Sequence, residues 1–540
     1  MTNRVPGDDR PTAVLDEAHS GDIEGAFGTI RQHDEVERRS WRARLLVLLA
    51  IIGPGLIVMV GDNDAGGIST YAQAGQDFGL TLLWTLPLLI PVLVVNQEMV
   101  VRLGAVTGVG HARLIIERFG RFWGAFSVGD LFILNFLTIV TEFIGVSLSL
   151  GYLGVSQYIS VPIAAVALIA MTATGSFRRW ERFMFVFIAA NFLVIPLAVF
   201  RHPAAAPLFH GLLVPGVRGG FNSTSVLLVI AIVGTTVAPW QLFFQQSNII
   251  DKRITPRWIN YERTDTVLGS LVTVFAAILL TAITAAAFAH TPLSGHFNDA
   301  GGVATGLAHY VGRTAGVLFA VILLNASIIG AASVTLSTSY AFGDVFGTRH
   351  SLHRGWREAK LFYGIFGALV VLAAAIVLIP GAPLGVITTA VQALAGVLLP
   401  SATVFLLLLC NDKDVLGPWV NRMWLNVVAF VIVSLLLMLS LVLMVTTLFS
   451  GIDVRALSVA LGAILGVTYI AGVVYLVLRR RAGAGPEHEA TERRETWRMP
   501  PLSLLGRPQW SRGKVLTMYA LRGYLVIAAL LLLVKAIRLG

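Results

Sequence analysis

Apolar stretches near twenty residues long, separated by short polar connections, run from Leu45 almost to the basic triplet Arg479-Arg480-Arg481. A helix of that length crosses the hydrocarbon core of a bilayer, about 30 Å thick at 1.5 Å of rise per residue. The pattern predicts helices near 44–77, 80–101, 128–151, 157–174, 183–200, 224–248, 266–290, 315–343, 361–379, 385–410, 423–449 and 456–478. The first and the sixth interrupt their own pattern. Helix 1 carries Asp62-Asn63-Asp64-Ala65-Gly66-Gly67 between apolar flanks, and helix 6 carries Gly234-Thr235-Thr236-Val237-Ala238-Pro239-Trp240-Gln241.

A charged side chain at bilayer depth costs at least ~2.5–3.5 kcal/mol, and such acids mark ion or substrate paths. Paired glycines let a helix open, and proline removes a backbone donor and clashes with the preceding turn. Irregular backbone in a membrane is tolerated only where it lines a cavity or is buried in protein. The two breaks lie five spans apart, so the two halves enter the membrane in opposite orientations. Paired interruptions of this kind point to a midplane site in a secondary transporter. The expected fold is an all-α polytopic membrane protein with inverted repeats of helices 1–5 and 6–10 and additional C-terminal helices.

Composition agrees. The 540 residues are 56% hydrophobic and 13% charged, with mean hydropathy +0.77, against roughly 25% charged in soluble domains. The net charge of +10 follows the positive-inside rule rather than nucleic-acid binding. The even connections hold Arg113, Arg118 and Arg121, then Arg178, Arg179 and Arg182, then Lys252, Arg253, Arg257 and Arg263, then Arg349, Arg354, Arg357 and Lys360, and last Arg479 to Arg481. The odd ones carry Arg201, Arg218, Arg313 and Arg455. Residues 1–40, polar and without the apolar core of a signal peptide, are expected in the cytoplasm of a cell-membrane protein. Residues 41–412 form the expected transporter core, 413–481 further membrane helices, and 482–512 a flexible cytoplasmic linker. The last segment, 513–540, holds the apolar run Val515 to Val534 with Arg522, compatible with a span or with a helix lying in the interface. The lone Cys410 excludes intramolecular disulfides and cysteine-built metal sites.

Asp62, Asn63, Asp64, Thr235 and Gln241, with the expected free carbonyls of Gly66, Gly67 and Thr235, offer only oxygen to a ligand. Hard oxygen ligands suit magnesium, calcium and manganese, whereas sulfur favours softer metals. Magnesium keeps several of its waters, and Ala65, Gly66, Gly67 and Ala238 would leave room for them. The plainer role for one aspartate is to cap the second half-helix. Elsewhere in the membrane, Glu98 and Arg102 are spaced to pair with each other. Glu142 has no basic neighbour in register and is a functional candidate. Gln392 suits hydrogen bonding across the bundle. His290, His296 and His309 read as surface. No phosphate loop, nucleophile with base or soluble catalytic domain marks an enzyme.

At these residues the chain resembles the natural resistance-associated macrophage protein (NRAMP) family of divalent transition-metal transporters. The likeness runs from Gly53-Pro54-Gly55 to about Asp412. It includes Gln73-Ala74-Gly75 with Phe78-Gly79, Asn96-Gln97-Glu98 with Arg102-Leu103-Gly104 and Val106-Thr107-Gly108, and Glu142-Phe143-Ile144-Gly145. The resemblance implies a LeuT-like fold with helices 1 and 6 unwound around the metal. It also implies departures. The family's Asp-Pro-Gly-Asn reads Asp64-Ala65-Gly66-Gly67, so the binding aspartate stays as Asp64 and the ligand asparagine becomes Gly67. The family's Met-Pro-His reads Ala238-Pro239-Trp240, so the selecting thioether becomes Ala238. Residues implicated in proton movement correspond to Trp240, Gln245 and Ile139, while a helix 3 glutamate remains as Glu142. Gln392 falls on the helix 10 metal-site glutamine.

This pattern is similar to the NRAMP-related magnesium transporters, which implies uptake of magnesium, and also manganese, without proton coupling. Metal contacts are expected from Asp64, Thr235 and Gln392, at the positions of Gly67 and Ala238, and from Asp62, Asn63 and Gln241. The cation is cargo rather than a resident cofactor. The expected partners are that cation and the lipid bilayer, with no nucleic acid and no obligate protein partner. The alternatives are a proton-coupled manganese or iron transporter of the ordinary NRAMP type, and a carrier of amino acids or sodium-coupled solutes. In the last, Asp62 and Asp64 would repel a substrate carboxylate.

Overall fold

The computed structural model describes residues 14–449, 451–481 and 494–506, less 15, 33, 35 and 496, together with separate positions between 516 and 527. Much of the expected linker and most of Val515–Val534 lie outside these. Over 494–506 the linker is not free: the Met499 N–H donates to the Val106 carbonyl at 3.3 Å, and Trp419 Nε1 donates to the Arg494 carbonyl at 2.8 Å.

The first span is α1 (Trp41–Ile51), α2 (Pro54–Gly61) and α3 (Ala65–Phe78). It is followed by α4 (Thr85–Thr107), α5 (His111–Phe119), α6 (Arg121–Tyr152), α7 (Gln157–Thr172), α8 (Phe177–Asn191) and α9 (Val194–Phe200). After α10 (Ala205–Leu213) come α11 (Ser223–Thr236) and α12 (Pro239–Asp251), then α13 (Ile259–Phe288), α14 (Ala300–Tyr310), α15 (Arg313–Phe346), α16 (Lys360–Val377) and α17 (Leu384–Cys410). The chain continues through α18 (Lys413–Leu416) to α19 (Met423–Leu448) and α20 (Val454–Arg481). Among the described residues ten helical segments are long and apolar enough to cross a membrane. With the interrupted first span and the shorter α7, each of the twelve expected segments is helical. The chain is a multi-pass membrane protein.

Helix 1 departs from the expectation of one break. It has two. At Ile52–Gly53 the axis turns by 54° between α1 and α2. Gly53 takes φ +152°, a region that disfavours any side chain, and Pro54 starts α2 with the one residue type whose missing N–H costs nothing there. The bend is clamped from behind. Lys252, fully buried at the end of helix 6, donates to the carbonyls of Ile51 and Ile52 at 2.7 and 2.9 Å and to Glu181 at 2.6 Å. Asp265 accepts from the N–H groups of Gly53, Gly55 and Leu56, satisfying the start of α2.

Packing separates two groups of helices. α13 lies along α2, α3 and α4, while α6 lies along α15, α16 and α17. α11 and α12 run between them, buried on nearly every face, and α17 backs α11. α19 packs on α17 and α11; α20 touches α19 at the edge, where Ser434 Oγ and Tyr469 Oη are 2.7 Å apart. The polar N-terminus holds a small hairpin, β1 (Ile23–Gly25) with β2 (Gly28–Ile30), whose glycines lie against Ala50 of α1. Residues 16–30 are thus folded onto the side of the molecule that carries the basic connections.

Candidate functional site

The second interruption of helix 1 spans Asp62 to Asp64. Among the described residues no backbone bond reaches the carbonyl of Asp62 or Asn63. Asp64, extended at φ −71° and ψ −175°, caps α3 through Oδ1, which accepts from the Gly67 N–H at 2.7 Å. The capping role weighed from sequence is real, and it leaves the other carboxylate oxygen to other partners. The Glu142 carboxyl of α6 occupies the same half-helix start: it accepts from the Ala65 N–H at 3.1 Å and faces the Asp64 carboxyl. Gly330 of α15 covers this pair, with no room for a Cβ between Glu142 Oε2 and Asp64.

One expectation is corrected here. Gly66 and Gly67 are not unwound and do not free their carbonyls; both lie in the first turn of α3, and the Gly66 carbonyl accepts from Thr70 Oγ1 at 2.7 Å. Once Asp64 caps the turn, the helical ladder closes over them. Their small size serves close approach instead. A Cβ on Gly66 would overlap the Gln392 amide of α17, and one on Gly67 would lie 2.8 Å from the Asp62 carbonyl oxygen and 3.2 Å from Thr235 Oγ1.

The break in helix 6 is also narrower than expected. α11 continues through Thr236, and the interruption is Val237 with extended Ala238 before Pro239 opens α12. The buried Thr235 Oγ1 has no hydrogen-bond partner among the described residues, nor do Gln392 Nε2 and Gln241 Nε2. Gln241 Oε1 accepts from Gln97 Nε2 of α4 at 3.3 Å. Asp62 is fully buried, and neither carboxylate oxygen finds a hydrogen bond among the described residues; Gln241 faces it without completing one. Asn63 is held toward α13, its Nδ2 donating to the Thr273 carbonyl at 3.1 Å. Ala238 is buried at the second break, and the Trp240 ring reaches Gly61 of the first.

Asp62, Asp64, Gly67, Thr235, Gln241 and Gln392 therefore converge where the two breaks meet, and Asn63 is tied to α13 through Nδ2 while its buried Oδ1 has no partner among the described residues. The donors are carboxylate, amide, hydroxyl and main-chain oxygen. Among the described residues no group of three or more His, Cys, Asp or Glu is arranged to hold a metal. Reasoning from sequence missed Gln97 and Tyr71, whose Oη lies 2.7 Å from Thr236 Oγ1 and ties the two broken helices together. Only the recurrence of polar residues one or two turns from each break signals them. Glu98 and Arg102 pair at 2.9 Å as expected, and Arg263 adds a second bond to Glu98. His290, His296 and His309 are exposed, as expected.

Two broken helices at equivalent places in inverted five-helix repeats define the LeuT-like class of membrane proteins. Solved structures agree on the fold. The chain superposes on a manganese transporter of Eremococcus coleocola with TM-score 0.62 at 20% identity, covering 83% of this chain and 97% of that one. It superposes on MhsT in complex with L-phenylalanine with TM-score 0.50 at 13% identity, covering 76% and 100%. The family model for natural resistance-associated macrophage protein-like proteins matches residues 55–446, and the chain belongs to that family. Relatives include the divalent metal cation transporter MntH of Klebsiella pneumoniae (strain 342), 27% identical over 75% of this chain and 96% of its own length. MntH of Bacillus subtilis (strain 168) is 26% identical over 74% and 93%. These relatives are transporters, in line with the expectation of a carrier rather than an enzyme.

Proposed function

We propose that this chain carries divalent cations across the cell membrane, magnesium foremost and manganese as well, through the oxygen site between the two breaks. Asp64 supplies the charged ligand, Thr235 and Gln392 further oxygens, and Asp62 and Gln241 the negative, polar wall on the other side. Ala238 leaves space for retained water, Gly67 lets the Asp62 carbonyl and the Thr235 hydroxyl come close, and Asn63 shapes the approach. The observation that carries the reading is the donor set: hard oxygen throughout, with Ala238 at the position where the family resemblance expects a thioether. The relatives are described as divalent metal and manganese transporters, which supports the cation class.

The driving force needs no proton. A divalent cation gains ~4.6 kcal/mol per 100 mV of inside-negative potential, twice the single-charge figure. In this reading the N-terminus and the basic connections are cytoplasmic, and uptake runs toward them. The test is flux into liposomes of purified protein under an imposed potential. Saturable magnesium entry with unchanged luminal pH is the expected result, and manganese entry with no magnesium entry overturns it.

One observation favours a second reading, proton-coupled manganese transport: the Glu142 carboxyl faces Asp64 and could exchange a proton as the cation binds. Luminal acidification in step with metal entry would favour that reading over the first.

A further inference from the structure

Below the helix breaks, Glu262 lies in a buried group with Glu181, Lys252 and Asp265. Three of them are accounted for. The three N–H bonds of Lys252 go to Ile51, Ile52 and Glu181. Glu181 takes that bond through Oε1 and the Ala26 N–H through Oε2, and Asp265 takes the three N–H groups at the start of α2. Glu262 is left over. It is 0% exposed, and both its carboxylate oxygens lack a hydrogen-bond partner among the described residues.

Its position in the first turn of α13 is mildly favourable for a negative charge, by about 0.3–1 kcal/mol. A buried ion costs several kcal/mol, and the nearby cation Lys252 spends its three N–H bonds on Ile51, Ile52 and Glu181. The helix end alone does not balance the account.

A residue with a second unpartnered oxygen stands next to it. Gln245, also 0% exposed, spends its amide nitrogen on Thr266 Oγ1 at 2.9 Å, and its Oε1 finds no partner among the described residues. Gln245 stands beside Glu262 and one helical turn below Gln241 on α12. Gln241 itself sits at the metal site and is bonded to Gln97. The polar face of α12 therefore runs from the break to an unpaired acid.

We propose that Glu262, with Gln245 Oε1, is a second cation station on the path from the central site to the cytoplasm, taking a partly hydrated divalent cation after it leaves Asp64. The station rests on the carrier function proposed above. It is closed here by α1 and the hairpin at residues 23–30, which the Lys252–Glu181 pair and the Ala26–Glu181 bond hold in place. Release then requires the Ile52–Gly53 bend to move.

The test uses the full chain in liposomes and, for binding, in detergent, with manganese as the probe ion. Glu262→Gln is expected to slow manganese flux at least tenfold while the dissociation constant from titration calorimetry stays within threefold of wild type. Glu262→Asp, which keeps the charge, is expected to retain at least a third of the flux. In the wild-type protein, labelling of Glu262 by an apolar carbodiimide should slow when manganese is added, and it should still slow in Asp64→Asn, which keeps the cap and removes the charge of the central site. Wild-type flux in Glu262→Gln, parallel loss of affinity and flux, or labelling indifferent to manganese would each overturn the proposal. So would a Glu262→Gln variant that loses only proton movement, which would make the residue a proton carrier. If wild-type liposomes take up no divalent cation at all, the carrier reading fails instead, and protection of Glu262 still reports on this station by itself.

Discussion

Asp64 and Glu142 meet at the same half-helix start: one caps Gly67 at 2.7 Å, the other holds the Ala65 N–H at 3.1 Å, and their carboxyls face each other. The two acids come from helices 1 and 3, 78 positions apart in the chain. Each has a structural task, so each must be tested with a substitution that keeps it.

Asp64→Asn preserves a capping oxygen, because asparagine caps about as well as aspartate. It removes the charge. Manganese and magnesium uptake into liposomes should fall at least a hundredfold with little change in melting temperature. A variant that still transports would remove Asp64 from the site.

Glu142→Gln also keeps an acceptor for the Ala65 N–H, whereas Glu142→Ala leaves that buried donor unpaired at a cost of ~1–3 kcal/mol. Calorimetric affinity for manganese should stay within about threefold in the first and weaken by roughly tenfold in the second. Equal loss in both would mean that the charge, rather than the hydrogen bond, is what the site requires.

Ala238→Met introduces a large, polarisable side chain where the alanine is buried between the breaks. Sulfur favours softer metals and the added bulk displaces retained water. Magnesium flux should drop about tenfold relative to manganese flux, measured in the same liposomes with each ion in turn.

Gly66→Ala forces its new methyl into the Gln392 amide. Overpacking of this kind costs about 1–3 kcal/mol, and Gln392 must withdraw from the break. A lower melting temperature together with weakened cation binding is expected. Full affinity in that variant would show that Gln392 is no ligand.

The N-terminal strap is predicted to loosen at both pH extremes. Asp16 bonds Arg354 and the His350 N–H, while His19 lies against His350 and Asp251. Burial alone would lower the His350 imidazole. The Asp344 carboxylate at 3.0 Å, helped by the Thr348 carbonyl, outweighs it and lifts His350 to about 9. Its contribution is complete below the ordinary 6.5 and is lost as pH rises through 9. His19 is pushed the other way by burial, against the opposing pull of the Asp251 carboxylate, with charged His350 adding to the downward shift. It opposes docking as pH falls below 6.5. Hydrogen-exchange protection of residues 16–30 should therefore peak near neutral pH, and His350→Gln should abolish the alkaline loss.

The positions of the helices were legible because each long span repeats one signal over about twenty residues, and the lipid leaves backbone few alternatives to helix. The break at Asp64 was legible because two acids have no other reason to interrupt so apolar a run, and the Glu98–Arg102 pair because its spacing of four is local. The bend at Gly53 reads from sequence as part of one helix. Gly-Pro at a helix start looks alike whether the axis turns there or not, and Lys252, which grips the bend, lies 199 positions away in the chain.

By itself the sequence determined the membrane, the inverted halves, the oxygen chemistry of the breaks and the family. Composition, period and local motif carry those, and none needs a distant contact. Only the tertiary structure decided that Gly66 and Gly67 serve close approach rather than free carbonyls, that Asn63 is tied to α13 through Nδ2, and that Glu262 is left without a hydrogen bond beside Glu181, Lys252 and Asp265. Those outcomes depend on which groups from remote helices arrive at the same place, and hydrogen bonds a few ångströms long leave no periodic trace along the chain.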